Sequence, residues 1–201
     1  MKERFTSLWQ KCGGADAADV WQRLDDLYRQ PERHYHGWKH IADCLARMDA
    51  CGAASPALEL AIWFHDAVYE TARGDNEEQS ARLFQALSGG LPTDLTDSVL
   101  RLIRVMARHN PDAGQPEEAM MCDIDLSILG RSAGEYAAYV ESVRLEYAAV
   151  NDADWIEGRS RVLRSFLERP VIYHTPQFAA FETPARENMT RELQLLTLPG
   201  D

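Results

Sequence analysis

No apolar run in the 201-residue sequence approaches the ~18 residues of a membrane-crossing helix, so nothing in it reads as a bilayer span. Basic charge is in short supply. Lys and Arg number 21 against 32 Asp and Glu, a formal charge of −11. Affinity for a phosphate backbone comes mainly from Lys and Arg contacts, so neither a nucleic acid polymer nor a membrane is an expected partner. The four cysteines, Cys12, Cys44, Cys51 and Cys122, form no C-x-x-C pair and no zinc-finger spacing. Unpaired thiols of this kind fit a reducing, cytoplasmic setting. The opening MKERFTSLWQKCGG has charges but no apolar h-region, and so does not read as a secretory signal. Strand signals are scarce, and there is no internal repeat or low-complexity tract. The longest loops, around 71–75 and 110–117, are too short to divide the chain.

What is present points to a folded helical protein. The hydrophobic share is 45% with five Trp, which excludes a disordered chain. A chain of this length buries about 70% of its unfolded surface and needs no disulfide or metal simply to fold. Apolar residues recur at three- and four-residue steps in DAADVWQRLDDLYRQ, WKHIADCLARMDA and TDLTDSVLRLIRVMARH. SPALELAIWFHDAVY starts with Ser55 as a cap and Pro56 at the first helical position. Its run Leu60 to Phe64 is apolar almost all round, so this helix should be central. NEEQSARLFQALSGG, SAGEYAAYVESVRLEYAAV, WIEGRSRVLRSFLERP and TPARENMTRELQLLTL complete the helices, with AMMCDIDLSILG a short apolar run holding two aspartates. The expected fold is all-α, a single-domain helical bundle over residues 1–201.

The sharpest chemical feature is His65-Asp66, directly after AIWF. Two ionisable groups at the end of a buried helix are expensive to desolvate unless something pairs with them. One such dipeptide alone is most simply a helix-capping His beside a loop Asp. Its company changes the weighing: His40 lies on the polar side of the preceding helix, and Asp123 and Asp125 interrupt an apolar segment. Two imidazoles with two carboxylates make a mixed N/O site for a divalent transition metal, with Mn, Fe, Co, Ni and Zn all suited.

YHGWKHI, LAIWFHDAVYE, DNEEQSA, DIDLSILG, VRLEYAAV and GRSRVLRSFLER, taken in order, resemble the HD superfamily of metal-dependent phosphohydrolases, and within it a bacterial subgroup. The matching motifs span an HD-type core of about residues 33–169, leaving 170–201 as a C-terminal extension. The resemblance implies one divalent metal held by His40, His65, Asp66 and Asp125. His36, four residues before His40, and Asp123 stay open as alternatives. It also implies an all-α core and hydrolysis of a phosphate ester by metal-activated water. A nucleotide is the leading substrate class.

In that frame Asp66 serves as ligand and as orienter of the attacking water. Glu70 sits where alarmone hydrolases of the superfamily place an acidic residue that assists water activation. Glu77 is a candidate water-positioner, and Asn76 a simple helix cap. His109, at the end of VLRLIRVMARH, is either a helix-terminal cation or a phosphate contact and proton donor. Arg33 and Lys39 flank the first His, and Arg144 lies in VRLEY; these are the candidate phosphate contacts. The competing reading is an HD-type module that binds metal and ligand without turnover, and a purely structural metal ranks last. Oligomeric state is left open, a homodimer included.

Overall fold

A computed structural model describes residues 1–197. Among them are ten α-helices and no strand, as the apolar periodicity predicts. They are α1 Lys2–Lys11, α2 Ala17–Tyr28, α3 Trp38–Ala50, α4 Pro56–Phe64, α5 Asn76–Leu87, α6 Thr93–Val105, α7 Pro116–Asp125, α8 Ala133–Glu146, α9 Asp152–Leu167 and α10 Glu182–Thr197. Short 3-10 turns occupy Leu126–Gly130 and Pro176–Phe181. The end of the last predicted helix, at Leu198, and the rest of the 170–201 extension beyond residue 197 lie outside the described residues. No described helix is long and apolar enough to cross a membrane. The chain forms two compact units, one running Met1–Ile124 and the other beginning at Asp125.

The first unit is organised around α4. Ser55 caps it, its hydroxyl accepting the Leu58 N–H at 3.4 Å, and Pro56 opens it. Seven of its nine residues are buried, because α3, α5 and α6 pack around it. Its Trp63 and Phe64 belong to an aromatic core with Phe5, Trp9, Trp21, Trp38 and Phe84, in which Trp21 stacks on Trp38 at 4.9 Å. Phe5 and Trp9 come from α1, a helix absent from the sequence expectation. Its short pattern is diluted by charge, and it is fixed by long-range contacts. Arg4 donates to Asp49 of α3 at 2.6 and 2.8 Å and to Glu59 of α4 at 2.6 Å.

Several boundaries differ from expectation, two of them near the candidate site residues. α6 ends at Val105 rather than at His109; the chain turns through 106–109, and His109 takes a left-handed backbone with φ 45°. α7 begins three residues before AMMCDID, at Pro116, where Glu117 and Glu118 suit the positive end of a helix. All four cysteines are free thiols, Cys44 and Cys122 buried among them.

The second unit is held by polar contacts as much as by apolar ones. A capping box joins Ser132 and Glu135 at the start of α8, and Asn151 caps α9. Arg159 of α9 grips Glu192 of α10 with both Nε (2.7 Å) and Nη2 (3.0 Å), while the Tyr136 hydroxyl of α8 donates to the same carboxylate. All three side chains are buried. Segment 170–181 wraps this unit: Ile172, Tyr173 and Phe178 are buried, and the Tyr173 hydroxyl donates to the Leu126 carbonyl at 2.8 Å. Gly130 is required by space, since a Cβ there would lie 2.7 Å from Phe181.

Candidate metal centre

The centre is assembled from the start of α3, the end of α4 and the end of α7. Gly37 precedes α3, close beneath the Tyr28 carbonyl, where a Cβ would sit at 3.2 Å. One turn on, His40 points inward and is 4% exposed. α4 closes with His65, whose N–H still bonds the Ala61 carbonyl, so His65 and Asp66 hang from the carboxyl end of the most buried helix. That end carries the negative pole of the helix dipole, which favours a cation. Tyr28 pins the same end by donating its hydroxyl to the Trp63 carbonyl at 3.0 Å. Burial drives the Tyr28 phenol well above its ordinary pKa, with the Asp66 charge adding to the effect, so it stays a donor.

His65 has a defined orientation. Its Nδ1 lies 3.0 Å from the Ile62 carbonyl, which can only accept, so Nδ1 carries a hydrogen and Nε2 is the nitrogen turned towards His40 and Asp66. Nε2 of His40 lies 3.2 Å from Nε2 of His65, and Asp66 Oδ2 lies 3.1 Å from the His65 nitrogen and 3.4 Å from the His40 nitrogen. Donors bound to one cation at about 2.0–2.2 Å are separated by roughly 3.0–3.4 Å. The triangle has that size. Asp125, the last residue of α7, completes a group with His40 and His65 in which one ligand atom from each lies within 4.8 Å of the others. The donor set and its spacing therefore fit a divalent cation.

Electrostatics prepare the carboxylate. Burial pushes the Asp66 carboxyl up, but the charge of His65, hydrogen bonds from His40 and His65, and the charge of His36 outweigh it. The group is held well below the usual carboxylate range.

Of the alternatives left open by the sequence, neither His36 nor Asp123 is in the His40–His65–Asp125 group. His36 lies in the turn before α3, its ring stacked on Tyr69 at 4.0 Å, and the metal-compatible group contains His40 in its place. Asp123 and Asp125 both lie on α7, where residues two apart point in nearly opposite directions. Asp123 is fully buried, and its charge adds to the burial that pushes the Cys51 thiol up, against the larger opposing effect of Arg47.

Other expected site residues have different surroundings. Arg33, predicted to meet a phosphate, donates to backbone carbonyls of His36, Asp66 and Ala67 at 3.0, 2.5 and 2.9 Å. Arg144 likewise serves the turn between α8 and α9, donating to the Tyr147 and Val150 carbonyls and to Asp152 at 2.7, 3.2 and 2.7 Å, beneath the Trp155 ring. Lys39 is exposed on α3 and has no partner among the described residues. Glu70 is exposed, and its backbone is clamped by Asn76, which accepts the Glu70 N–H at 3.1 Å and donates to its carbonyl at 3.0 Å. Asn76 is thus a loop clasp at the first position of α5 rather than its cap; Asp75 precedes it. Glu77 is half-buried in the first turn of α5. Sequence reasoning did not single out Tyr35, whose half-buried ring lies 5.0 Å from that of His40. Its place inside YHGWKH was the available signal. Comparison with models of known protein families, with curated proteins and with solved structures finds no match.

Proposed function

We propose that the chain is a divalent-metal-dependent phosphohydrolase of the HD type, cleaving a phosphate ester of a small molecule, with nucleotides the leading class. The observation that carries this reading is the His40, His65 and Asp66 triangle at metal-ligand spacing, with Asp125 grouped within 4.8 Å of the two imidazoles. Imidazole with carboxylate suits Mn, Fe, Co, Ni or Zn. Such a cation would lower the pKa of a bound water and hold a phosphoryl oxygen.

The chain's own groups do the rest. His65, fixed through Nδ1 on the Ile62 carbonyl, keeps its Nε2 aimed at the centre, where it would ligate once free of its proton. Asp66 stays ionised because the neighbouring imidazoles favour its charged form, so one oxygen can ligate while the carboxylate accepts a hydrogen from an attacking water. Glu70 and Glu77, whose carboxylates have no partner among the described residues, are proposed to position that water. His109 is proposed to protonate or contact the phosphate, Lys39 to meet its charge.

The test is phosphate release from a panel of nucleotides and sugar phosphates with Mn²⁺, Co²⁺, Ni²⁺ or Mg²⁺ added in turn, wild type beside Asp66→Asn. Release by wild type and none by the variant is expected. Silence across the panel from protein shown to contain metal would overturn turnover in favour of a binding module.

A further inference from the structure

On the metal reading above, we infer that Arg33 is a positioning residue that sets the width of the metal centre. Its guanidinium fastens the segment delivering His40 to the turn delivering His65 and Asp66. One nitrogen, Nη1, bridges the two arms: it donates to the His36 carbonyl, just before the α3 cap Gly37, and to the carbonyl of Asp66 itself. Nη2 donates to the next carbonyl along the turn, Ala67, and Nε to Gln30. Four of the five N–H groups that a guanidinium offers are engaged in this way.

The guanidinium carbon also lies over two rings, 5.2 Å from the Tyr28 centroid and 5.9 Å from the Tyr69 centroid. Both rings belong to the same assembly. Tyr28 bonds the last turn of α4, and Tyr69 follows the His-Asp turn and stacks on His36. The ligands that the two arms deliver, His40 and His65, are 25 residues apart in sequence, and the 3.2 Å between their nitrogens depends on the arms staying in register. A planar fork can bond both arms at once. A lysine ammonium, with three donors radiating from one nitrogen on a flexible stem, can keep the charge but not the fixed planar reach of Nε, Nη1 and Nη2.

The experiment titrates Co²⁺ into wild type, Arg33→Lys and Arg33→Ala, reading affinity by chelator competition and ligand geometry by the visible Co²⁺ bands. Circular dichroism and melting temperature of the metal-free proteins are measured alongside. Arg33→Lys is expected to stay folded, to bind Co²⁺ roughly 10–100-fold more weakly, as when a partner that orients a ligand is lost, and to show altered bands. Should the alanine variant fail to fold, the lysine variant carries the test. The control is Arg4→Lys, which loosens a comparable clamp of α1 on α3 and α4. It is expected to lower the melting temperature without changing Co²⁺ affinity. Wild-type affinity and bands in Arg33→Lys, or an equal loss in Arg4→Lys, would overturn the positioning role and leave the metal reading standing. Failure of wild type to bind Co²⁺ would remove both.

Discussion

If the His40–His65–Asp66–Asp125 group binds a divalent cation, the cation must stabilise the fold, because the unfolded chain has no such pocket. With free Mn²⁺ at a hundred times its dissociation constant, linkage adds about 2.7 kcal/mol. For a chain of this size each kcal/mol moves the melting temperature by about 2–4 °C, so a rise of roughly 5–11 °C is expected. His65→Ala removes one donor of the 3.1–3.4 Å triangle and should abolish the rise over the same metal range. The pH dependence follows from which ligands still carry protons. The Asp66 carboxyl is depressed in the folded state, so it is ionised above the ordinary Asp range and is lost only as pH falls through its lowered value. Ligand nitrogens must be free of protons to bind a cation, so the affinity should fall as the pH is lowered. Differential scanning fluorimetry across metal concentration and pH reads both effects. A rise that survives in His65→Ala, or that is unchanged down to pH 5, would refute the assignment.

Other expectations concern the framework. Glu192→Gln leaves the buried Arg159 guanidinium without its counter-charge and should cost about 3–5 kcal/mol in urea unfolding. The apolar replacement Tyr136→Phe/Arg159→Met/Glu192→Leu should cost far less, and a triple variant weaker than the single would contradict this account. Gly130→Ala forces a methyl to within 2.7 Å of Phe181 and should destabilise by about 1–3 kcal/mol; an unchanged urea midpoint would show that the turn relaxes freely. At Glu182 burial raises the carboxyl pKa, but bonds from the Ile172 and Tyr173 amides and from Arg186 outweigh it and hold the group below its usual value. Its contribution is present above the ordinary Glu range and lost as pH falls through the folded value. Glu182→Gln should flatten the acid limb of the stability profile, and an identical limb would remove Glu182 from that role.

The helical class was legible because apolar residues repeat at helical steps, and α4 was legible in detail because Ser55-Pro56 is local chemistry. The His-Asp pair could be read for a similar reason, since two ionisable groups after AIWF need an explanation in any fold. α1 was not legible: Phe5 and Trp9 are core only because distant α4 and α5 rings meet them. The end of α6 was overrun because apolar spacing continues to Met106 while the backbone turns, a conformational event that no side-chain pattern records. The choice of Asp125 over Asp123 needed to know that DID is helical, after which the helix itself separates the two carboxylates. Arg33 and Arg144 have partners that the sequence does not show, for one reason. A cation beside a motif suggests an anion, but both guanidinium groups reach backbone carbonyls, and carbonyl acceptors leave no trace in a sequence.

The placement of His65 at the end of α4 also has a temporal consequence. α4 is enclosed by α3, α5 and α6, so its amides should exchange with solvent only when the first unit opens as a whole. The Glu70–Asn76 clasp lies in exposed chain a few residues on, and can open and close many times within the lifetime of one such event. The donor atoms and the segment beside them thus keep different clocks.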